Sequence, residues 1–220
     1  MKLTLNTCEI RTWRRSDLDS LVANANNRNV WVNLRDQFPY PYTRRDGQTF
    51  LRHMRERKPE TVFAIVVDDK AVGAIGFVLQ KDVDRVSAEI GYWLGEPYWG
   101  RGITSEALVA VTRYAIENHG LTRLFAVPFA ANAASCRVLE KAGYVLEGRL
   151  RRSAIKDGTS SIRRCTRSSL RSGRPPAIRG HAEAEAEAAV GRRVRVPQRA
   201  AGAVGVEEPA SSADHALLAG

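Results

Sequence analysis

Residues 96–108, Glu-Pro-Tyr-Trp-Gly-Arg-Gly-Ile-Thr-Ser-Glu-Ala-Leu, put Gly100 and Gly102 in a short loop directly before an amphipathic segment. Glycine lets such a loop turn sharply and approach a ligand closely, and the first turn of the following helix keeps N–H groups without intrahelical partners. A helix start of this kind cradles anions, phosphate above all. Leu108, Val111 and Ala115 recur behind the loop at helical spacing, Thr104 and Ser105 offer capping hydroxyls, and His119-Gly120 reads as the stop. The loop lacks the Lys-Ser/Thr ending of a P-loop. It also lacks the third glycine and the later acidic residue of a dinucleotide fingerprint, so ATP and NAD are disfavoured.

The neighbouring segments alternate between strand and helix patterns. Residues 3–12 read as a first strand, and Ser16 to Asp19 as a capping box that opens a helix to about Asn26. Loop-forming residues run to Tyr42, and Thr43 with Asp46 starts another helix to about Arg57. Residues 62–67 and 71–79 form a hairpin through Asp68-Asp69-Lys70, and residues 86–94 extend it as a third antiparallel strand. After the glycine loop and its helix, residues 124–129 suit a parallel strand beside the one ending at Leu94. Asn132-Ala133-Ala134-Ser135 then opens a helix closed by Lys141-Ala142-Gly143-Tyr144, and residues 144–152 make one more strand.

This succession of strand, Trp-Gly-Arg-Gly, helix, strand, Asn-x-x-Ser, helix and Lys-x-Gly-Tyr resembles the GCN5-related N-acetyltransferases (GNAT). Within them it is most similar to the ribosomal-protein N-terminal acetyltransferase (RimJ/RimL-like) group, in which an Ile-Gly-Tyr-Trp strand and a Phe-Pro-x-Pro-Tyr-Thr segment recur; here the latter is Phe38-Pro39-Tyr40-Pro41-Tyr42-Thr43. The resemblance covers residues 3–158. It implies an α/β (α+β) fold with a mixed, mostly antiparallel central sheet flanked by helices. It also implies acetyl-CoA as cosubstrate and transfer of its acetyl group to a primary amine by direct attack on the thioester. The acceptor this implies is a protein N-terminal α-amine, with a small-molecule amine (antibiotic, polyamine or amino acid) as the alternative. A catalytically impaired acyl-CoA-binding module is a further alternative.

The family pattern places the cofactor on the loop amides of Trp99, Gly100, Arg101, Gly102, Ile103 and Thr104, on backbone near Trp93 and Leu94 where two strands splay apart, and on Asn132 and Ser135. Pro97 stands where the family often has Gln or Arg and supplies no N–H. Glu89, on the central strand, is the candidate acceptor of the amine proton, and a surface-facing strand Glu is its competing reading. Ser135 is the candidate partner of the leaving thiolate. Some relatives carry a basic Glu in the strand after Gly-Tyr, and residues 153–155 contain none. Trp31, Tyr40 and Tyr42 are candidates for the acceptor pocket, against a reading as loop packing. Tyr144 reads as core, Cys136 as a buried structural thiol, and His53 and His119 as surface residues at helix ends.

Composition bounds the rest. The chain has 220 residues and a formal net charge of +10. Residues 1–158 hold 24 Lys+Arg against 18 Asp+Glu, and residues 159–220 hold 10 against 6, so the excess is +6 and +4 and no segment reads as a nucleic-acid arm. Three cysteines without metal spacing argue against zinc or a disulfide framework and for a reducing, cytoplasmic setting. No run of eighteen apolar residues suggests a membrane span. All sixteen aromatic residues precede Thr159, and the remainder of the chain is rich in Arg, Ala, Ser, Gly and Glu. The domain expected over residues 1–158 is therefore incomplete, its final strand missing. Residues 159–220 read as a disordered low-complexity tail, either natural or produced by a frameshift near residue 159.

Overall fold

A computed structural model describes residues 1–168. Their strands form one sheet in the order β1-β2-β3-β4-β5-β6-β8-β7. The first seven strands are β1 (Lys2–Thr4), β2 (Glu9–Arg11), β3 (Val62–Val67), β4 (Lys70–Leu79), β5 (Ser87–Leu94), β6 (Arg123–Ala126) and β7 (Tyr144–Lys156); β8 spans Thr159–Ser168. Every pairing is antiparallel except β5 with β6. The helices are α1 (Leu18–Ala25), α2 (Arg28–Trp31), α3 (Arg44–Glu56), α4 (Ile103–His119) and α5 (Ala133–Lys141).

Strands β3, β4 and β5 are buried on both faces, as their near-continuous apolar sequences require. Phe63, Ile65, Phe77, Ile90 and Tyr92 pack with α4, whereas Ala64, Val66, Ala74 and Trp93 pack with α1, α3 and the loop that carries Phe38. Each fully buried Leu, Ile or Phe of this kind contributes about 1.5–3 kcal/mol. The β3–β4 turn places Asp68 and Asp69 at φ 48° and 60°, the left-handed pair that a two-residue hairpin needs.

Several sequence expectations are corrected. Residues 3–12 form two strands, because Asn6 and Thr7 turn the chain. The Glu106 carboxylate on the first turn of α4 accepts from the backbone N–H groups of both, at 2.8 and 2.9 Å. The first capping box pairs Asp17 with the backbone of Arg14, so Ser16 does not cap. Thr43 and Asp46 do form the second.

The final strand is present. β8 lies between β6 and β7, which leaves β7 at the sheet edge. Asp157 (φ 49°) and Gly158 (φ 71°) make a tight turn that sets the register of the hairpin, and the ladder itself uses backbone groups that any sequence supplies. The inward positions take small polar residues, Thr166 and Ser168, and Thr166 Oγ1 donates to the Ala126 carbonyl at 3.3 Å. The aromatic-poor sequence that argued against a strand is accommodated because this end of the sheet carries little core. The disorder and frameshift readings for residues 169–220 lie outside the described residues.

Candidate active site

β5 and β6 run side by side only from Ser87↔Arg123 to Glu89↔Phe125. Beyond Glu89 they part, and among the described residues the β5 edge from Ile90 to Leu94 has no strand partner on that side. A cavity of about 330 Å³ opens in this wedge. Its walls come from Tyr92 to Leu94, the glycine loop, the first turn of α4, and the start of α5 at Asn132 and Ser135, with Asn29 and Asn33 opposite.

The glycine loop has the backbone geometry that suits an anion. Gly100 (φ 75°) and Gly102 (φ 80°) occupy the left-handed region, and a Cβ at either position would meet nothing within 4 Å. Gly102 is the N-cap of α4 and no side chain caps the helix. The expected capping by Thr104 and Ser105 is therefore absent: both lie inside the helix, downstream of the position from which a side chain can cap. The Glu106 N–H reaches the Gly102 carbonyl, which leaves the N–H groups of Ile103, Thr104 and Ser105 at the helix start, facing the cavity with the positive end of the helix dipole.

The loop is held at both ends. The Trp99 indole N–H donates to the Leu94 carbonyl at 2.7 Å, and Arg101 lies over the Tyr98 ring. Glu96 accepts from Asn27 at 2.7 Å and from Asn29 at 3.0 Å, and these two bonds, that of Asn27 first, hold its carboxyl below the usual carboxylate range. Pro97 sits in the one-turn 3-10 helix Glu96–Tyr98, ahead of the cradle, so its missing N–H removes no donor from it.

At the inner end of the cavity Asn132 caps α5, its Oδ1 accepting from the Ser135 N–H at 3.0 Å. Ser135 is buried, with Oγ 2.9 Å from the Tyr92 hydroxyl, which also approaches the Ser135 carbonyl at 3.3 Å. Burial raises the Tyr92 pKa above its ordinary value, outweighing the bond to Ser135, and keeps it a neutral phenol. Sequence reasoning missed Tyr92, because its alternation with Ile90 and Leu94 reads as core; only the packing of α5 on β5 brings its hydroxyl to Ser135.

Glu89 occupies the last rung before the strands part. It does not line the large cavity. Its carboxylate accepts from Arg35 at 2.6 Å, and Arg35 lines a second cavity of about 210 Å³ beyond Leu34, a residue common to both. Asp36 beside Arg35, Val127 and Phe129 from the β6–α5 loop, and Ala154, Lys156 and Arg163 from the β7–β8 hairpin also line that second space. None of these hairpin residues stood out in the sequence.

Trp31, Tyr40 and Tyr42 line neither cavity. Tyr42 is buried in the core, its ring 5.0 Å from Phe38. Tyr40 is exposed and leans on Trp31 at 5.7 Å, and Trp31 in turn carries the Lys156 ammonium 3.7 Å from its ring centre. Tyr144 is a core residue bonded to Thr112 at 2.8 Å, and Cys136 is a buried free thiol. His53 is exposed, but His119 packs its ring against Phe77, and burial lowers its pKa. Among the described residues no His, Cys, Asp and Glu cluster could hold a metal ion, and no helix is long and apolar enough to cross a membrane.

The family described as acetyltransferase (GNAT) domain matches residues 8–145, more than half of the chain. The chain belongs to the GNAT acetyltransferase domain family. The chain spans about half the length of the curated relatives it matches. One is the ribosomal-protein-serine acetyltransferase of Escherichia coli (strain K12), 32% identical over 100 residues, which are 46% of this chain and 55% of the relative. Among solved structures, the RimL ribosomal L7/L12 α-N-protein acetyltransferase in complex with coenzyme A aligns with a TM-score of 0.65 at 20% identity, covering 76% of this chain and 97% of that one. The microcin C7 self immunity acetyltransferase MccE, in complex with acetyl-CoA and AMP, aligns with a TM-score of 0.67 at 19% identity, covering 76% and 94%. At these identities the two structures share the GNAT fold with this chain.

Proposed function

We propose that the chain is an N-acetyltransferase that takes its acetyl group from acetyl-CoA and delivers it to a primary amine, a protein N-terminal α-amine in the first instance. The observation that carries this reading is the uncapped start of α4, reached through two left-handed glycines, at the mouth of the wedge where β5 and β6 part. Three free amides and the helix dipole suit a pyrophosphate, and the unpaired β5 edge suits the amides of pantetheine. Trp93 and Leu94 lie along that edge, where the Leu94 carbonyl is already taken by the Trp99 indole, and Asn132 and Ser135 close the inner end.

Acetyl-CoA supplies an activated acyl thioester, and the residues present the rest. The N–H groups of Ile103, Thr104 and Ser105 would hold the phosphates, and Ser135, at the inner end of the same cavity, would receive the thioester. The second cavity, which shares Leu34 with the first, is the entrance for the amine, so that the two reactants meet in the wedge; positioning of this kind is worth up to about 7–11 kcal/mol of barrier. Glu89, beside that entrance, takes the amine proton directly or through a water. The amine nitrogen forms its bond to the carbonyl carbon, the carbon–sulfur bond breaks, and Ser135 Oγ, backed by Tyr92, donates a hydrogen bond to the departing thiolate, which takes its proton from solvent while Glu89 returns the amine proton there. A second cavity of about 210 Å³ accommodates the end of a peptide, which favours a terminal amine over a bulky antibiotic. The resemblance to the ribosomal-protein acetyltransferases supports the same choice.

The test is steady-state release of free thiol from acetyl-CoA with a panel of peptides and small amines, followed by mass spectrometry to locate the acetyl group. Acetyl on the peptide α-amine is expected. Turnover confined to small amines would transfer the reading to a metabolite or drug acceptor, and coenzyme A binding without any turnover would leave a cofactor-binding module.

A further inference from the structure

The second cavity has a charge pattern that the acetyl-transfer reading does not use. Three cations line it, and two are neutralised locally: Arg35 by Glu89 at 2.6 Å, and Lys156 by Asp36 at 2.7 Å. Arg163 is not. Its Nε and Nη2 donate to Ser153 Oγ and the Ser153 carbonyl at 3.1 and 2.9 Å, and among the described residues no carboxylate pairs with it. Both Ser153 acceptors are neutral. They orient the guanidinium and leave its charge uncompensated. The Lys156 pair is lopsided: the lysine side chain is 5% exposed and held against the Trp31 ring, while that of Asp36 is 70% exposed. The exposed Asp36 carboxylate is screened by solvent, so a ligand carboxylate can take its place and keep the buried ammonium paired.

We infer that this cavity selects acceptors that carry a carboxylate close to the reacting amine, an N-terminal segment with Asp or Glu next to its first residue, and that Arg163 is the residue that reads it. The inference rests on the reading of the second cavity as the amine entrance. Two physical consequences favour it. A preoriented guanidinium binds a carboxylate by charge-assisted hydrogen bonds, which are stronger than neutral ones. Excess positive charge beside the entrance also favours the neutral form of an incoming amine, the form that attacks. The same charge repels acceptors with a second ammonium, so polyamines are poor substrates.

The experiment uses the full chain with three tetrapeptide amides, Ser-Glu-Ala-Ala, Ser-Gln-Ala-Ala and Ser-Lys-Ala-Ala, and spermidine as the polyamine probe. For the parent, kcat/KM is expected to be about tenfold higher for the Glu peptide than for the Gln peptide, the size of a single charge-assisted bond, and lowest for the Lys peptide and spermidine. Added salt should shrink the ratio. Arg163→Gln should bring the Glu-to-Gln ratio close to one and Arg163→Lys should keep part of it. Arg55→Gln, which removes an exposed charge on α3, should leave the ratio unchanged. If Arg163→Gln does not fold, the parent's peptide ratio and its salt dependence decide. Equal efficiencies in the parent, a preference for the Lys peptide or spermidine, or a ratio that Arg163→Gln leaves intact would overturn the inference. Failure of every acceptor in a chain that binds coenzyme A would overturn the acetyltransferase reading along with it.

Discussion

Replacing Gly102 with Ala or Val separates the two things that this glycine does. At φ 80° an L-residue sits in the left-handed region, which costs about 1–2 kcal/mol. A Cβ there would meet nothing within 4 Å, so no clash within the chain adds to that figure. If the backbone holds, melting should fall by about 2–4 °C per kcal/mol, the slope for a domain of this size. The new side chain then stands in the open space that the phosphates need. If the backbone relaxes to negative φ, the first turn of α4 is re-laid and the N–H groups of Ile103, Thr104 and Ser105 lose their alignment. Either route removes at least one charge-assisted hydrogen bond of about 1.5–3 kcal/mol, roughly a 10- to 150-fold weaker Kd. Calorimetric titration with coenzyme A, paired with thermal melting, reads both quantities. A folded Gly102→Val chain that binds coenzyme A as tightly as the parent would refute the cradle.

The geometry makes three further outcomes testable. Tyr92→Phe removes the partner of Ser135 Oγ while the ring stays to pack, so kcat should fall about 5- to 10-fold with the Kd for coenzyme A retained; because burial raises the Tyr92 pKa, the parent's rate should show no Tyr92 ionisation in the neutral range, and an unchanged kcat would remove Tyr92 from the mechanism. Glu89→Gln should lower kcat by about 10²- to 10⁴-fold with acetyl-CoA still bound, and a parent-like pH–rate profile would place the proton acceptor elsewhere. Burial works to raise the Glu106 carboxyl, but the bonds from Thr7 and Asn6 prevail and hold it below its ordinary value. Its contribution to stability is therefore present above the unfolded pKa and lost as pH falls through the folded one, and Glu106→Gln should flatten that acid limb in pH-dependent melting.

The sheet and the glycine loop before α4 were legible because each has a local signature. Alternating or continuous apolar runs marked β3, β4 and β5, and the glycine pair followed by helical spacing marked α4. What the sequence hid depends on contacts far apart in the chain. The turn at Asn6 and Thr7 is set by Glu106, a hundred residues on, and the hydroxyl of Tyr92 acquires a role only when α5 brings Ser135 to it. Glu89 stands out in the sequence as a carboxylate on an apolar strand, but its partner Arg35 does not, because it comes from a loop with no periodic pattern. β8 was misjudged for another reason: its stability comes from a turn and a backbone ladder, whereas composition reports only on side chains that enter a core. The second cavity, built in part from that hairpin, was hidden with it.

The central claim, that the amides at the start of α4 hold the phosphates of acetyl-CoA, is tested most directly by titrating the isotopically labelled chain with coenzyme A and following its backbone amides by NMR. The largest shifts are predicted at Gly100, Gly102, Ile103, Thr104 and Ser105, with smaller ones along Trp93 and Leu94. Saturable binding that leaves these amides unmoved, with the shifts at another surface, would contradict it.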